Sequence, residues 1–366
     1  MNRSTASEFA ERLIRNDVQA IAAYHVQDAT GLIKLDAMEN PYEWPVELSD
    51  GLQACAAKAA INRYPDPRSP GLVDALFDAF SIDRRWKILL GNGSDELIQM
   101  LIQALARPGA SVLAPAPTFV MYRVIAGFLN VDYHEVDLRA DFSLDIDAML
   151  AVIETHQPEL VFLACPNNPT GNLFDRSDLR RILNASEGLV VIDEAYSPFA
   201  SEHHLDLLTE FPNLLVMRTL SKLGLAGLRL GYLVGDSAWI EQIDKVRLPY
   251  NIGVVTQAVT ELALRNFHLF QAQTKRICDE RLRLLETLSA DQRLQCLPSD
   301  ANFLVVRLPK GTAAAVHTGM RERGVLIKKL DGSHPLLADC LRITIGSPDE
   351  NKAMMSALTA SLDAVV

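Results

Sequence analysis

Leu214-Leu215-Val216-Met217-Arg218-Thr219-Leu220-Ser221-Lys222-Leu223-Gly224-Leu225-Ala226-Gly227-Leu228-Arg229-Leu230-Gly231-Tyr232-Leu233-Val234 is the stretch that decides how this chain is read. Leu214 to Met217 and Leu230 to Val234 are apolar runs of strand length. The loop between them carries one lysine, two hydroxyls, two glycines and two arginines. A lysine set among apolar residues loses its proton more easily than one in water, and the free amine is a nucleophile suited to Schiff-base formation. Thr219, Ser221 and Arg229 supply hydroxyl and guanidinium donors for an anion beside it. The alternative is a plain turn with a solvated lysine, and the loop alone does not choose between them.

Working outward, further strand-length runs stand at 86–90, 111–114, 131–136, 160–164 and 189–196. Most are separated by patterns of helical period, at 97–106, 146–156 and 177–184 and in the segment after Phe119. With 214–217 and 230–234 they predict an α/β fold, a large and mainly parallel seven-stranded sheet with helices on both faces. Ligands of such sheets collect at the carboxyl ends of the strands, and those ends are where the unusual residues sit. Gly91-Asn92-Gly93-Ser94-Asp95-Glu96 is a glycine turn leading into a helix, an anion-binding geometry in which Ser94 or Asp95 could cap the helix. Pro117-Thr118-Phe119 offers a ring that could stack on a planar ligand or simply pack. Cys165-Pro166-Asn167-Asn168-Pro169-Thr170-Gly171 holds two amides and a hydroxyl between prolines. Leu189 to Tyr196 ends in Asp193, and a strand buried on both faces should not end in a carboxylate without a partner. A cationic ring nitrogen of a ligand or an internal arginine or lysine would serve. Tyr196, three residues on, could point to the same cavity.

Toward the N-terminus, Phe9, Leu13, Ile14, Val18 and Ile21 predict an amphipathic helix over 5–22. A short strand then runs into Glu39-Asn40-Pro41-Tyr42, and a helix follows over 46–61. Two prolines bar a helix at Arg63-Tyr64-Pro65-Asp66-Pro67, so Tyr64 is either a binding tip or a packed aromatic. After Asp236 the texture changes. Residues 254–290 read as long and helical, followed by strands at 303–308, 325–328 and 341–345 and helices at 312–322 and 349–363. This predicts an N-terminal arm with part of a small domain over 1–45, a large domain over 46–250 and a smaller α+β domain over 251–366. Arg342, inside an apolar strand, would suit a substrate carboxylate or phosphate.

The formal net charge of −11 argues against general affinity for nucleic acid or anionic membrane. No apolar run approaches the roughly 18 residues of a membrane span. Five cysteines without a CxxC pair and no secretory pattern predict a reducing, cytoplasmic setting. No metal-ligand cluster is visible, and His203-His204 reads as a wet loop or helix start.

Together the strand-end residues ask for a ligand with a phosphate, a flat ring, a basic ring nitrogen and an aldehyde. Pyridoxal 5'-phosphate has these parts. Gly93, Ser94, Asp95, Thr219, Ser221 and Arg229 would surround the phosphate, Phe119 would stack on the ring, Asp193 would pair with its nitrogen, Asn168 and Tyr196 would bond its oxygen, and Lys222 would carry the aldehyde.

The ordered set Glu39-Asn40-Pro41, Arg63-Tyr64-Pro65, Gly93-Ser94-Asp95-Glu96, Asn167-Asn168-Pro169-Thr170-Gly171, Asp193-Glu194-Ala195-Tyr196, Ser221-Lys222 and Arg229 resembles the fold-type I aminotransferases over nearly the whole chain. Lys34-Leu35-Asp36, Met121-Tyr122 and Leu341-Arg342-Ile343-Thr344-Ile345-Gly346 point, within them, to the histidinol-phosphate aminotransferase family. The resemblance implies a homodimer with shared active sites, in which Tyr64 reaches the cofactor phosphate of the neighbouring subunit. It implies ping-pong amino transfer between glutamate and imidazole-acetol phosphate, giving 2-oxoglutarate and histidinol phosphate, with Lys222 as the catalytic residue. It also implies substrate contacts by Tyr24, Asn40, Tyr64, Arg342 and Lys328. Two departures stand out. Lys222 and Arg229 are seven apart, one fewer than is commonest in the family, and Lys328-Lys329 stands where a second anion-binding arginine is expected. An aromatic or broad-specificity aminotransferase and a decarboxylase of phosphorylated amino acids share most of these motifs. A ligand-sensing domain of a transcription regulator would need a DNA-binding segment, for which the sequence gives no helix-turn-helix pattern.

Overall fold

The computed structural model describes residues 5–23 and 27–365. Twelve strands follow in chain order: β1 (Ile33–Leu35), β2 (Lys87–Gly91), β3 (Ser111–Ala116), β4 (Asp132–Asp137), β5 (Leu160–Ala164), β6 (Leu189–Asp193), β7 (Leu214–Thr219), β8 (Gly231–Gly235), β9 (Gln295–Leu297), β10 (Phe303–Arg307), β11 (Val325–Lys329) and β12 (Cys340–Thr344). Seven of them form one sheet in the order β2-β8-β7-β6-β5-β3-β4. All its pairings are parallel except the two made by β8, which runs against both β7 and β2.

Strands β5, β6, β7 and β8 are buried along their full length. Their near-continuous apolar sequence is what two covered faces require. Alternation sorts the side chains between two cores. Val161, Leu163, Val190, Ile192 and Val216 face one helical layer, and Leu160, Phe162, Val191, Leu215 and Met217 face the other. Each such side chain contributes on the order of 1.5–3 kcal/mol by leaving water. The carboxyl ends of β2, β3, β5, β6 and β7 therefore converge on one edge, with the start of β8 among them.

The second sheet has five strands in the order β1-β11-β12-β10-β9. Strand β1 lies parallel to β11, so the N-terminal segment joins the C-terminal part of the chain. The helix Val254–Arg265 packs on Pro70–Ala79 and on Ser49–Lys58.

Three local expectations differ from the structure, and one strand was not expected. The helix expected over 5–22 is two short helices, Ala6–Leu13 and Asn16–Gln19, parted where Ile14 turns extended. Its apolar stripe buries nothing within this chain, with Leu13 at 71% exposure, and an unburied stripe gives a long helix little to hold it. The helix expected over 46–61 is a 3₁₀ turn, Val46–Leu48, followed by an α-helix that stops at Lys58. The helical run 254–290 breaks at Asn266 and ends at Ser289. Strand β9 had no sequence signal, since only edge pairing with β10 makes those three residues a strand.

Candidate active site

A cavity of about 220 Å³ opens at the converging strand ends. Ser94, Asp95, Phe119, Asn168, Asp193, Tyr196, Thr219, Ser221, Lys222 and Arg229 line it, so residues spread over 136 positions of sequence (94 to 229) share one wall. Each stands at or just past a strand end or, for Arg229, just ahead of β8.

One end of the cavity is a cradle for an anion. The helix Ser94–Leu105 begins there, with Gly93 as its N-cap and no side-chain cap. Neither Ser94 nor Asp95 caps the helix, contrary to expectation, because both already lie in its first turn. The N–H groups of that turn and the helix dipole favour a negative ligand. Gly93 has φ +85°, and a Cβ there would lie 2.5 Å from Arg229 Nη2. A Cβ on Gly231 would lie 2.9 Å from the Ser94 nitrogen. Only glycines let the lysine loop and the helix start close to this distance. The Thr219 and Ser221 hydroxyls lie 2.9 Å apart, and Thr219 also accepts from the Ser221 N–H. Arg229 Nη2 is 4.0 Å from Asp95 Oδ2. Burial raises the Asp95 pKa despite the nearby cations, and it is the free N–H groups of this turn that suit an anion.

Lys222 stands between this cradle and the opposite wall. Its Nζ donates to the Ala37 carbonyl at 3.2 Å and lies 5.8 Å from the Tyr196 ring centre. Desolvation, with Arg342 nearby, pulls its pKa down to about 8. A fraction of the amine is therefore uncharged near neutral pH and can act as a nucleophile.

At the far end of β6, Asp193 is buried and faces the same cavity. Tyr122 donates to its Oδ2 at 2.6 Å and the Ala195 N–H to its Oδ1 at 3.0 Å. Burial pushes its pKa up to about 6 against those two hydrogen bonds. Among the described residues no cation is hydrogen-bonded to the carboxylate, which leaves room for a cation from a ligand. Phe119 lines the cavity above, edge-on to Tyr122. Tyr196 is buried, and its hydroxyl points to Met38 Sδ at 3.4 Å.

The two amides of the 165–171 run divide their work. Asn167 is internal scaffolding that donates to the Pro117 carbonyl at 3.0 Å and accepts from Thr118 at 2.8 Å. Asn168 reaches the cavity and accepts from Arg342 Nη1 at 2.5 Å. Arg342 also donates to the Asp36 carbonyl and lies over the Phe303 ring. Lys328 is registered directly opposite Arg342 across the β11–β12 pair, and partners in such a pair share a face. Thus the small sheet brings a second cation beside the one that contacts Asn168.

Other expected site residues lie elsewhere. Asn40 is beside the lysine loop rather than on the cavity wall, its amide donating to the Leu223 carbonyl at 3.1 Å. Tyr64 is 80% exposed and stacks on Tyr250 with ring centres 4.4 Å apart, outside this chain's cavity. Tyr24 lies outside the described residues. Sequence reading missed Met38 and Glu39, which form part of the wall, and Tyr122, whose spacing one helical turn after Phe119 was the available signal. It also misjudged His204. That residue does start a 3₁₀ turn, but it is fully buried, with its backbone N–H and Nδ1 on Glu194 Oε1 at 2.6 and 3.0 Å. Glu194 in turn receives Arg218 at 2.6 Å, so a buried charge draws both groups inward.

Among the described residues no group of His, Cys, Asp or Glu could hold a metal, and no helix is long and apolar enough to cross a membrane. Residues 30–358 match the aminotransferase class I and II family. The chain is 51% identical over 357 residues to histidinol-phosphate aminotransferase 2 of Cupriavidus pinatubonensis, covering 96% of this chain and 97% of that protein. It is 52% identical over 347 residues to the protein of the same name from Nitrosococcus oceani, covering 95% and 96%. The solved histidinol-phosphate aminotransferase of Sinorhizobium meliloti, in complex with pyridoxal-5'-phosphate, superposes with a TM-score of 0.86 over 97% of this chain and 98% of that one, at 23% identity. The fold, the near-complete match and the identity to these relatives together place the chain in the aminotransferase class I and II family and, within it, among the histidinol-phosphate aminotransferases.

Proposed function

We propose that the cavity holds pyridoxal 5'-phosphate and that the protein moves an amino group between L-glutamate and imidazole-acetol phosphate, the histidinol-phosphate aminotransferase reaction of histidine biosynthesis. One observation carries the reading. An amine with a lowered pKa, a buried carboxylate with no cation hydrogen-bonded to it and a glycine-lined anion cradle open onto the same small cavity. That donor set fits an aldehyde, a protonated ring nitrogen and a phosphate in turn. The bound cofactor would supply the electron sink for the substrate's α-carbon.

The chain's own residues then have distinct tasks. The first-turn N–H groups at Ser94, the Thr219 and Ser221 hydroxyls and Arg229 hold the phosphate. Asp193 holds the ring nitrogen protonated, and Asn168 and Tyr196 orient the ring. Lys222 would hold the cofactor's aldehyde carbon, and its Nζ, when free, would carry the proton taken from the substrate α-carbon. Arg342, with Lys328 beside it, binds the carboxylate of glutamate or the phosphate of the second substrate. In one half-reaction glutamate gives up its amino group and leaves as 2-oxoglutarate. In the other, imidazole-acetol phosphate takes that group up and leaves as histidinol phosphate.

A homodimer is part of the proposal. Tyr64, Ile61, Val46 and Leu248 are each at least 73% exposed, an apolar surface suited to a second copy, which would bring its own Tyr64 toward this cavity. The test is an assay of purified protein with histidinol phosphate and 2-oxoglutarate. Rates with phenylalanine or tyrosine that exceed those with histidinol phosphate would replace the substrate assignment, and release of carbon dioxide would replace transfer by decarboxylation.

A further inference from the structure

Tyr122 was not among the residues expected in the site, yet it makes the shortest contact to the carboxylate at its floor. Its hydroxyl donates to Asp193 Oδ2 at 2.6 Å. The ring is fully buried, stacked on Phe162 with centres 4.4 Å apart and planes within 1°, and edge-on to Phe119 at 5.6 Å and 86°. Two neighbours therefore hold the ring, and the hydroxyl has little freedom to turn away. The other hydrogen bond to the carboxylate comes from the Ala195 N–H, on Oδ1. One donor per oxygen fixes the plane of the carboxylate. Phe119 leans on the same tyrosine, so the ring expected to stack on the cofactor and the carboxylate expected beneath it share one support.

We propose that Tyr122 is a positioning residue for the cofactor, setting the orientation and the charge of Asp193 through its hydroxyl and the placement of Phe119 through its ring. This rests on the reading of Asp193 as partner of the cofactor's ring nitrogen. A carboxylate leaves a proton on a ring nitrogen only while it is the weaker base of the pair. Burial makes Asp193 a stronger base than usual, and the tyrosine hydroxyl opposes that drift. A phenol suits the task because burial beside Asp193 holds its own proton on well above the ordinary range. It remains a neutral donor at every pH where the enzyme would work, whereas a histidine in its place would change charge within that range.

The test compares wild type, Tyr122→Phe and Asp193→Asn, each stripped of cofactor and titrated with pyridoxal 5'-phosphate. The readouts are the dissociation constant and the pH midpoint of the visible absorbance of the lysine-bound cofactor. Tyr122→Phe keeps the ring and its packing. It should weaken binding by more than about twofold but by less than the roughly 10- to 100-fold worth of a hydrogen bond to a charged group, because that bond is made with and without the cofactor. It should also move the midpoint upward, because the cofactor ring loses part of its positive charge. If the phenylalanine variant does not fold, 2,3-difluorotyrosine placed at position 122 keeps the shape and strengthens the donor. It should move the midpoint downward. A Tyr122→Phe enzyme within twofold of wild type in affinity and with an unmoved midpoint, beside an Asp193→Asn enzyme changed in both, overturns the role of Tyr122 and leaves that of Asp193 standing. An Asp193→Asn enzyme that also matches wild type brings down the reading of Asp193 and this proposal with it.

Discussion

Asp193 and Glu194 are consecutive, both carboxylates and both buried, and the fold treats them in opposite ways. Burial pushes the Asp193 pKa up to about 6, since among the described residues its hydrogen bonds come from two neutral donors. Glu194 points to the other side, between Arg218 and His204. Desolvation opposes its ionisation, but the Arg218 charge and the hydrogen bonds outweigh it and bring its pKa down to about 2. On the back of the strand end the chain satisfies its own charge. On the cavity side it does not, and that unmet demand is what a cationic ligand group would fill. The difference teaches that burial alone says little about a carboxylate. Whether the fold supplies the counter-charge separates a structural acid from one reserved for chemistry.

The comparison can be broken most sharply from the cavity side. Lys222→Ala should lower turnover by at least about 10²- to 10⁴-fold, the usual worth of a positioned acid–base group, and should abolish the covalent adduct that borohydride traps. Mass spectrometry after reduction checks this, and a retained adduct at another lysine would remove Lys222 from its role. Thermal unfolding of the cofactor-free variant should match or exceed wild type, because a desolvated cation has been removed.

Glu194→Gln should do the reverse. It leaves Arg218 buried without its charge partner and should cost about 3–5 kcal/mol of stability near neutral pH, measured by denaturant unfolding. A low folded pKa means that ionised Glu194 contributes stability above about pH 4.5, its unfolded value, and that this is lost as pH falls toward about 2. The gap between wild type and variant should close over that window. A constant gap would mean that the variant disturbs packing rather than charge.

For Asp193→Asn the sign is opposite. A raised folded pKa means that the carboxylate costs the cofactor-free protein stability as pH rises from about 3.8 to about 6. The cofactor-free variant should therefore be as stable as wild type below that window and more stable above it, by urea unfolding, while holding pyridoxal 5'-phosphate less tightly. Equal destabilisation by Asp193→Asn and Glu194→Gln at pH 7 would erase the distinction between the two acids. The smallest effect is kinetic. Reaction of the Lys222 amine with an added aldehyde should speed up with pH to a midpoint near 8, where its lowered pKa lies, and trapping rates on the cofactor-free protein would show it.

The sequence by itself determined the α/β class, the seven strands of the large sheet and most of the cavity wall, from Ser94 through Arg229. Continuous apolar runs of strand length, glycine turns and polar residues stranded at run ends are local signals, and physics reads them locally. Asn168 rather than Asn167 was expected to meet the ligand, but what separates the two amides of that turn is tertiary, the neighbouring loop at Pro117 for one and the distant Arg342 for the other. Tyr122, Met38 and His204 were decided in the same way, by groups 71, 158 and 10 positions away. The tertiary structure alone also set the opposite pKa shifts of Asp193 and Glu194. A carboxylate's pKa depends on what lies within a few ångströms of it, and for a buried group those neighbours come from other parts of the chain.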